Sequence, residues 1–427
     1  MGITTTPPGP VAPPPPSVGL RIRGIVLRVS LVIGLGELGF ATIVPLLPLY
    51  LTEHLNASVK LVGAVVAAFA LVETLLKAVW GSVADRVGRR PLIVAGLLLS
   101  SVAPLLMSVL RNPVLFVPLR LIDGAGSSAL WPAASAIMAD KTPRDQRATA
   151  MGTLNLFFLS GLAFGPALGL FVVGLSHSYA TGFYLASGLM IAAAAWGSVA
   201  LWDAATPHPA PSVTADGVGH RTDDQSSDRS HEGKRTRFSP LLITMLGVAF
   251  VQMFGVGLLA PILAIYAKRV VGLSEQLIGT LFLLGVLSVA IASVPAGRLA
   301  DRWGKRKAVV WGMALGSAGM WMLPISPRLE VLAVGAVLLG IGYALSSPAW
   351  HALVSELAPS GRIGFAMGAA QTAEGLGLVL GPLLGGVLWD AAGHVAPFVA
   401  SASLLSVSTV ALVMTIRSLA RSSRARA

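Results

Sequence analysis

A constant offset of 216 residues relates the first half of this chain to the second. Across it, Pro45, Tyr50 and Gly63 match Pro261, Tyr266 and Gly279, and Gly124, Gly126 and Pro132 match Gly340, Gly342 and Pro348. Gly152, Gly161, Gly165, Pro166 and Gly169 likewise match Gly368, Gly377, Gly381, Pro382 and Gly385. No insertion is needed between Pro45 and Gly169. A period of half the chain is too long for a solenoid unit, so it predicts two bundles of one topology.

The composition says what those bundles are. Of 427 residues only 12% are charged, against about 25% in an average soluble domain, and 54% are hydrophobic. Mean hydropathy is +0.76. Twelve apolar runs fall near 29–50, 61–83, 91–110, 114–138, 146–173, 179–202, 239–267, 277–299, 307–325, 329–353, 363–388 and 394–417. Each is long enough to cross about 30 Å of hydrocarbon as a helix. The short alternating segments of a transmembrane β-barrel are absent. The expectation is an all-α membrane protein of twelve transmembrane helices in two six-helix bundles, residues 21–202 and 239–418. Residues 1–20 read as a Pro-rich disordered tail with no signal-peptide core, 203–238 as a polar linker and 419–427 as a basic tail.

The net charge of +12 is distributed by position. Seven of the 31 Lys and Arg residues (Lys60, Lys77, Arg111, Arg120, Lys268, Arg269 and Arg328) lie outside the tails, the linker and alternate loops. That alternation is the positive-inside pattern, which predicts a multi-pass plasma (inner) membrane protein with both termini in the cytoplasm. The basic surplus then contacts anionic lipid and needs no nucleic acid. There is no cysteine, so disulfides and thiolate metal sites are excluded, and no metal-ligand cluster or nucleophile–base spacing points to an enzyme.

Several motifs sharpen this. Gly81-Ser-Val-Ala-Asp85-Arg86-Val-Gly88-Arg89-Arg90 recurs as Gly297-Arg-Leu-Ala-Asp301-Arg302-Trp-Gly304-Lys305-Arg306. Leu38-Gly39 precedes Pro45-Leu-Leu-Pro48. The spaced run Gly152, Gly161, Gly165, Pro166, Gly169 reappears as Gly368, Gly377, Gly381, Pro382, Gly385. Together with six helices, a linker and six more, these resemble the major facilitator superfamily of secondary transporters, and within it the twelve-helix drug:proton antiporters. The third motif departs from the antiporter pattern only at Leu170, where a final Gly is usual. The resemblance implies alternating access, a small-molecule substrate, a functional monomer and no cofactor, with the proton gradient as energy source.

The loop motif also has a physical reading. Asp85 and Asp301 stand at helix C-terminal ends, where the helix dipole disfavours a carboxylate, so each should face a donor elsewhere. The resemblance suggests the start of the eleventh helix near Arg362 for Asp85, and by the repeat the start of the fifth near Arg147 for Asp301. Gly81, Asp85, Arg86, Gly88 and Arg89, with Gly297, Asp301, Arg302 and Gly304, would then form a gating latch. A plain loop acid paired with neighbouring arginines is the other reading. In the spaced-glycine motif, Gly161, Gly165 and Gly169 share one helix face and let two backbones approach, while Pro166 removes a backbone hydrogen bond.

Ionisable groups at membrane depth are costly and mark function. They are Glu37, Glu73, Lys77, Arg120, Asp123 and Glu374. At about 1.5 Å per residue, Glu37, Glu73 and Glu374 fall in one central slab. Glu73 and Lys77 are four apart and can neutralise each other, and Arg120 and Asp123, three apart, can pair. Arg120 stands where the family's fourth-helix motif has its Arg, with Asp123 in place of the usual Gln. Glu37 and Glu374 have no local counter-charge. Burial disfavours the charged form of a carboxylate, so its protonation can alternate with binding of a cationic substrate. Glu37 is therefore the expected proton-coupling carboxylate, with Glu374 or Asp123 as second site and Glu73 and Arg120 beside them. Phe157, Phe158, Phe254, Tyr343 and Trp350 are candidate cavity aromatics, and His177 and His394 fall in outer loops. The function expected is proton-coupled efflux of amphipathic drugs or metabolites. The alternative is a transporter of the same fold for another solute, such as a sugar or amino-acid exporter or a symporter.

Overall fold

Apolar helices that must satisfy every backbone group internally leave little choice of architecture in a membrane. The computed structural model describes residues 16–143, 146–202, 240–357 and 363–424; the expected linker, most of the expected N-terminal tail and the last three residues of the expected C-terminal tail lie outside these. The described residues form α-helices and one short 3-10 turn, without strands. The N-terminal half holds α1 (Pro16–Glu53), α2 (Val59–Val87), α3 (Arg89–Val109), α4 (Phe116–Ser127), α5 (Leu130–Lys141), α6 (Arg147–Ser176) and α7 (Tyr179–Ala200). The C-terminal half holds α8 (Pro240–Leu259), α9 (Ile262–Arg269), α10 (Glu275–Trp303), α11 (Lys305–Ile325), α12 (Leu329–Leu357), α13 (Ile363–Ala392) and α14 (Ala396–Arg424). They supply twelve spans long and apolar enough to cross a membrane. The first span begins at Ile22, but its helix α1 begins at Pro16, so the last residues of the expected N-terminal tail are helical.

Two expected single spans are each built from two helices. α4 and α5 are separated at Ser128–Ala129, one turn before Pro132, which cannot donate to the Ser128 carbonyl. α8 and α9 are separated at Ala260–Pro261. The repeat mates of these prolines, Pro348 and Pro45, lie inside unbroken helices. Proline therefore permits the break, and its surroundings decide whether one forms. Trp80 donates to Ser128 Oγ at 2.8 Å and to Ala125 O at 3.0 Å, and the Ala125 carbonyl is one whose helical donor, Ala129 N, has turned to Gly126 O at the break.

The offset holds at atomic contacts. Ser58 caps α2 by accepting from Leu61 N, and Ser274 caps α10 by accepting from Leu277 N. Gly88 and Gly304 turn the chain from α2 to α3 and from α10 to α11 at φ of 94° and 86°, a region that L side chains avoid. Arg89 pairs with Asp140, and Lys305 with Glu356. A β-carbon on Gly161 would lie 2.8 Å from Leu38 N, and one on Gly377 would lie 2.6 Å from Phe254 N. Gly165 and Gly381 meet Leu38 O and Phe254 O in the same way, at 2.8 and 2.6 Å. The spaced glycines thus pack α6 on α1 and α13 on α8, each seam inside one half.

The halves meet where α1 ends and α2 begins. There a single apolar core runs through both, from Leu46, Val62 and Phe183 to Ile265, Ile278 and Phe398. At the opposite end, where α7 finishes and α8 starts, the packing divides into two clusters, one around Ile93 and Ile137, the other around Val309 and Leu353. The molecule is joined at the first end and split at the second.

Candidate functional site

In the N-terminal half the membrane charges gather around α2. Arg120 and Asp123 form an ion pair, 5% and 0% exposed, with the guanidinium 4.1 Å from the ring of Phe69 and 5.7 Å from that of Phe40. Asp123 Oδ1 and Arg120 Nε are buried without a hydrogen-bond partner among the described residues. Glu73 binds Lys77 at 2.9 Å, as their spacing allows, and lies within electrostatic reach of both Arg120 and Asp123. α4 comes close enough for this because Gly124 packs on the backbone of Phe69 and Glu73. Glu37 sits on α1 with its Cβ against Gly161, half-buried, within reach of Glu73 and Lys77. Among the described residues it makes no ion pair.

The C-terminal half contains a cavity of about 530 Å³. All of its lining except Val44 comes from that half. The walls are mainly apolar and include Met253, Phe282, Met320, Leu339, Tyr343 and Trp350. Its polar groups include Gln252, His351 and Glu374. Glu374 is half-buried, unpaired among the described residues, and within electrostatic reach of His351. His351 Nδ1 lies 2.9 Å from Ser347 O. The next residue, Gly375, packs on Thr74, which adjoins Glu73, so Glu374 and Glu73 flank the contact of α13 with α2.

Of the five aromatics expected to line a cavity, Tyr343 and Trp350 do so. Phe254 stacks on Phe250, Phe158 packs edge-on against Trp131, and Phe157 covers Gly34. The Phe254 pairing runs along α8 itself, the Phe158 pairing joins α6 to α5, and Phe157 meets α1 through its backbone and Cβ. Sequence reasoning missed His351 and Gln252. Gln252 is polar where its repeat mate is Gly36, and His351 is ionisable where its mate is Ser135, so the broken repeat that marked Glu374 could have marked them too.

One half of the expected latch, Asp301 with Arg147, can be followed, and it is not engaged. Asp301 is exposed without an ion pair among the described residues, and Arg147 donates to Thr142 O at 3.3 Å on its own side. Both lie at the end where the halves are split, which removes the partner each was expected to meet. Arg86 and Arg302 are exposed there beside the turns at Gly88 and Gly304, while Gly81 and Gly297 lie seven residues earlier, inside α2 and α10. Arg89 was expected in the latch but binds Asp140 within its own half. The Asp85 side chain and Arg362 lie outside the described residues.

Instead, charged contacts join the halves at the other end. Arg269 binds Glu53 at 2.7 Å and donates to Thr52 O at 2.6 Å. Lys60 N donates to Asp390 Oδ2 at 2.8 Å, capping α2 from α13. Tyr179 donates to Glu275 at 3.3 Å, and Lys268 neutralises Glu275 at 2.8 Å.

Comparison with known proteins fits this geometry. The model of the Major Facilitator Superfamily matches residues 29–247 and again 245–426, one match for each half. Multidrug resistance protein 2 of Bacillus subtilis is 24% identical over 355 residues, 83% of this chain and 86% of its own. The quinolone resistance protein NorA of Staphylococcus aureus is 25% identical over 378 residues, 88% of this chain and 92% of its own. Among solved structures, a peptide transporter, POT, aligns with a TM-score of 0.72 at 15% identity, covering 92% of this chain and 94% of its own. The nucleoside transporter NupG aligns with a TM-score of 0.70 at 12% identity, covering 91% and 99%. These last two likenesses concern the fold alone.

Proposed function

Because the chain belongs to the major facilitator superfamily and is a multi-pass membrane transporter of small molecules, we propose that it exports amphipathic compounds in exchange for protons. One observation carries the substrate side of this reading: an apolar chamber at membrane depth with a single carboxylate, Glu374. Its volume of about 530 Å³ lies in the range that holds drug-sized molecules. A lone acid in low-dielectric surroundings favours a ligand with one positive centre and disfavours anions. The relatives named for multidrug and quinolone resistance support the same class.

Proton coupling is assigned to Glu37, with Glu73, Arg120 and Asp123 around it. A carboxylate without a counter-ion in a membrane is least costly when it is neutral, so it can gain and lose a proton as its access to water changes. The positive-inside distribution puts the split end in the cytoplasm. On that reading the structure is the inward-open state. The Glu53–Arg269 contact closes the outer side, and the latch of Asp85 and Asp301 would form on reversal.

The test is transport into inverted vesicles with an imposed pH gradient, across a panel of cationic and neutral compounds. An interior made acid should drive uptake of lipophilic cations, and collapsing the gradient should stop it. Uptake indifferent to the gradient would remove the proton from the mechanism. Glu37→Gln should abolish gradient-driven uptake while leaving the amount of folded protein in the membrane unchanged.

A further inference from the structure

The repeat relates the charged cluster of one half to the cavity of the other. Adding 216 to Glu37, Phe40 and Phe69 gives Met253, Val256 and Gly285. Adding it to Glu73, Arg120 and Asp123 gives Val289, Ala336 and Leu339. All six of these mates line the C-terminal cavity. The helix contacts around the two places correspond as well, since a β-carbon on Gly124 would lie 2.7 Å from Phe69 O where one on Gly340 would lie 2.6 Å from Gly285 O. One architectural chamber is therefore built twice. In the N-terminal copy it is filled by an ion pair and two phenyl rings. In the C-terminal copy, smaller or apolar residues leave it open.

We propose that the two copies have divided the work of transport: the open C-terminal chamber seats a lipophilic monocation, and the filled N-terminal chamber carries the exchangeable proton. Substrate and proton then do not compete for one carboxylate. This deepens the antiport reading and rests on it. In the filled chamber Arg120, Asp123 and Phe69 are buried and occupy the positions that form open walls in the other copy. The open chamber offers Glu374 as counter-charge to the cation, with Gln252 and His351 as further polar neighbours. Communication between the two passes through α2 and α13, which touch where Thr74 meets Gly375, each next to a carboxylate of its own chamber. A shift at that contact changes the surroundings of Glu73 and Glu374 together.

The experiment measures equilibrium binding of tetraphenylphosphonium to the purified full-length protein at pH 8, beside its gradient-driven flux in vesicles. Ala336→Phe fills the open chamber and should weaken binding roughly tenfold or more. Ala336→Leu, a smaller intrusion, should give an intermediate loss. Glu37→Gln should leave affinity within about twofold of the unaltered protein and lower flux roughly tenfold or more. Absence of binding by the unaltered protein, wild-type affinity in Ala336→Phe, or equal losses of affinity in Ala336→Phe and Glu37→Gln would each overturn the division. Normal binding with no gradient-driven flux in the unaltered protein would instead refute proton coupling and leave the substrate chamber standing.

Discussion

At matching depth the N-terminal half holds Arg120 and Asp123 beneath Phe40 and Phe69, while the C-terminal half holds Ala336 and Leu339 beside Val256 and Gly285. The backbones around the two places agree down to the glycine contacts that set helix separation. The difference teaches that helix packing and membrane chemistry are written by separate residues. Glycines and prolines at repeated positions fix the frame, and the side chains between them decide whether its interior is charged and full or apolar and open.

The most severe way to break this comparison is to unbalance the filled interior. Asp123→Asn leaves a guanidinium buried without its counter-ion and should cost about 3–5 kcal/mol. Thermal unfolding in detergent would record it, and the mate substitution Leu339→Asn, at an open wall, should cost clearly less. Equal losses would mean that the two interiors are not different environments. Next, the shared frame can be challenged at its seams: Gly165→Val and Gly381→Val should each destabilise by about 1–3 kcal/mol, and by similar amounts, since each forces apart one intra-half helix pair. A large disparity would show that the frame is not symmetric.

A smaller effect belongs to the contact between the halves. Arg269→Glu sets like charges face to face at a partly exposed site and should cost up to about 1 kcal/mol. It should also increase labelling from outside of a cysteine introduced as Ile278→Cys, a residue buried just below. The chain has no cysteine of its own, so that label has no background. Adding Glu53→Arg should restore the closed state. The least effect is expected at Lys77→Met. Lys77 is half exposed and its bond to Glu73 is of the helical i,i+4 kind, so a change of a few tenths of a kcal/mol, and flux within about twofold, is expected.

Much of this was legible in the sequence, and the reasons are physical. Apolar length and the offset determine span number and duplication, because a membrane demands long apolar helices and a duplication preserves its glycines. The unpaired state of Glu37 and Glu374 and the pairing of Glu73 with Lys77 followed from spacing along a helix. The cavity did not, because its shape depends on which helix faces converge. Tyr343 and Phe254 are equally aromatic on paper, yet one lines the chamber and the other stacks on Phe250 of its own helix. The breaks at Ser128–Ala129 and Ala260–Pro261 were hidden as well, since the mates of their prolines sit in continuous helices. The joining contacts of Arg269, Tyr179 and Asp390 depend on how two halves far apart in sequence are docked.

Glu53 and Arg269 are themselves 216 residues apart, so each is the other's counterpart, and their contact marks the twofold axis that relates the halves. Two identical six-helix chains associating about that axis would bring each such residue against its own copy, acid on acid or base on base. An opposite-charge pair at this point is available only to subunits that are no longer identical. Fusion into one polypeptide therefore gave this molecule an attraction that a homodimer of the same design could never make.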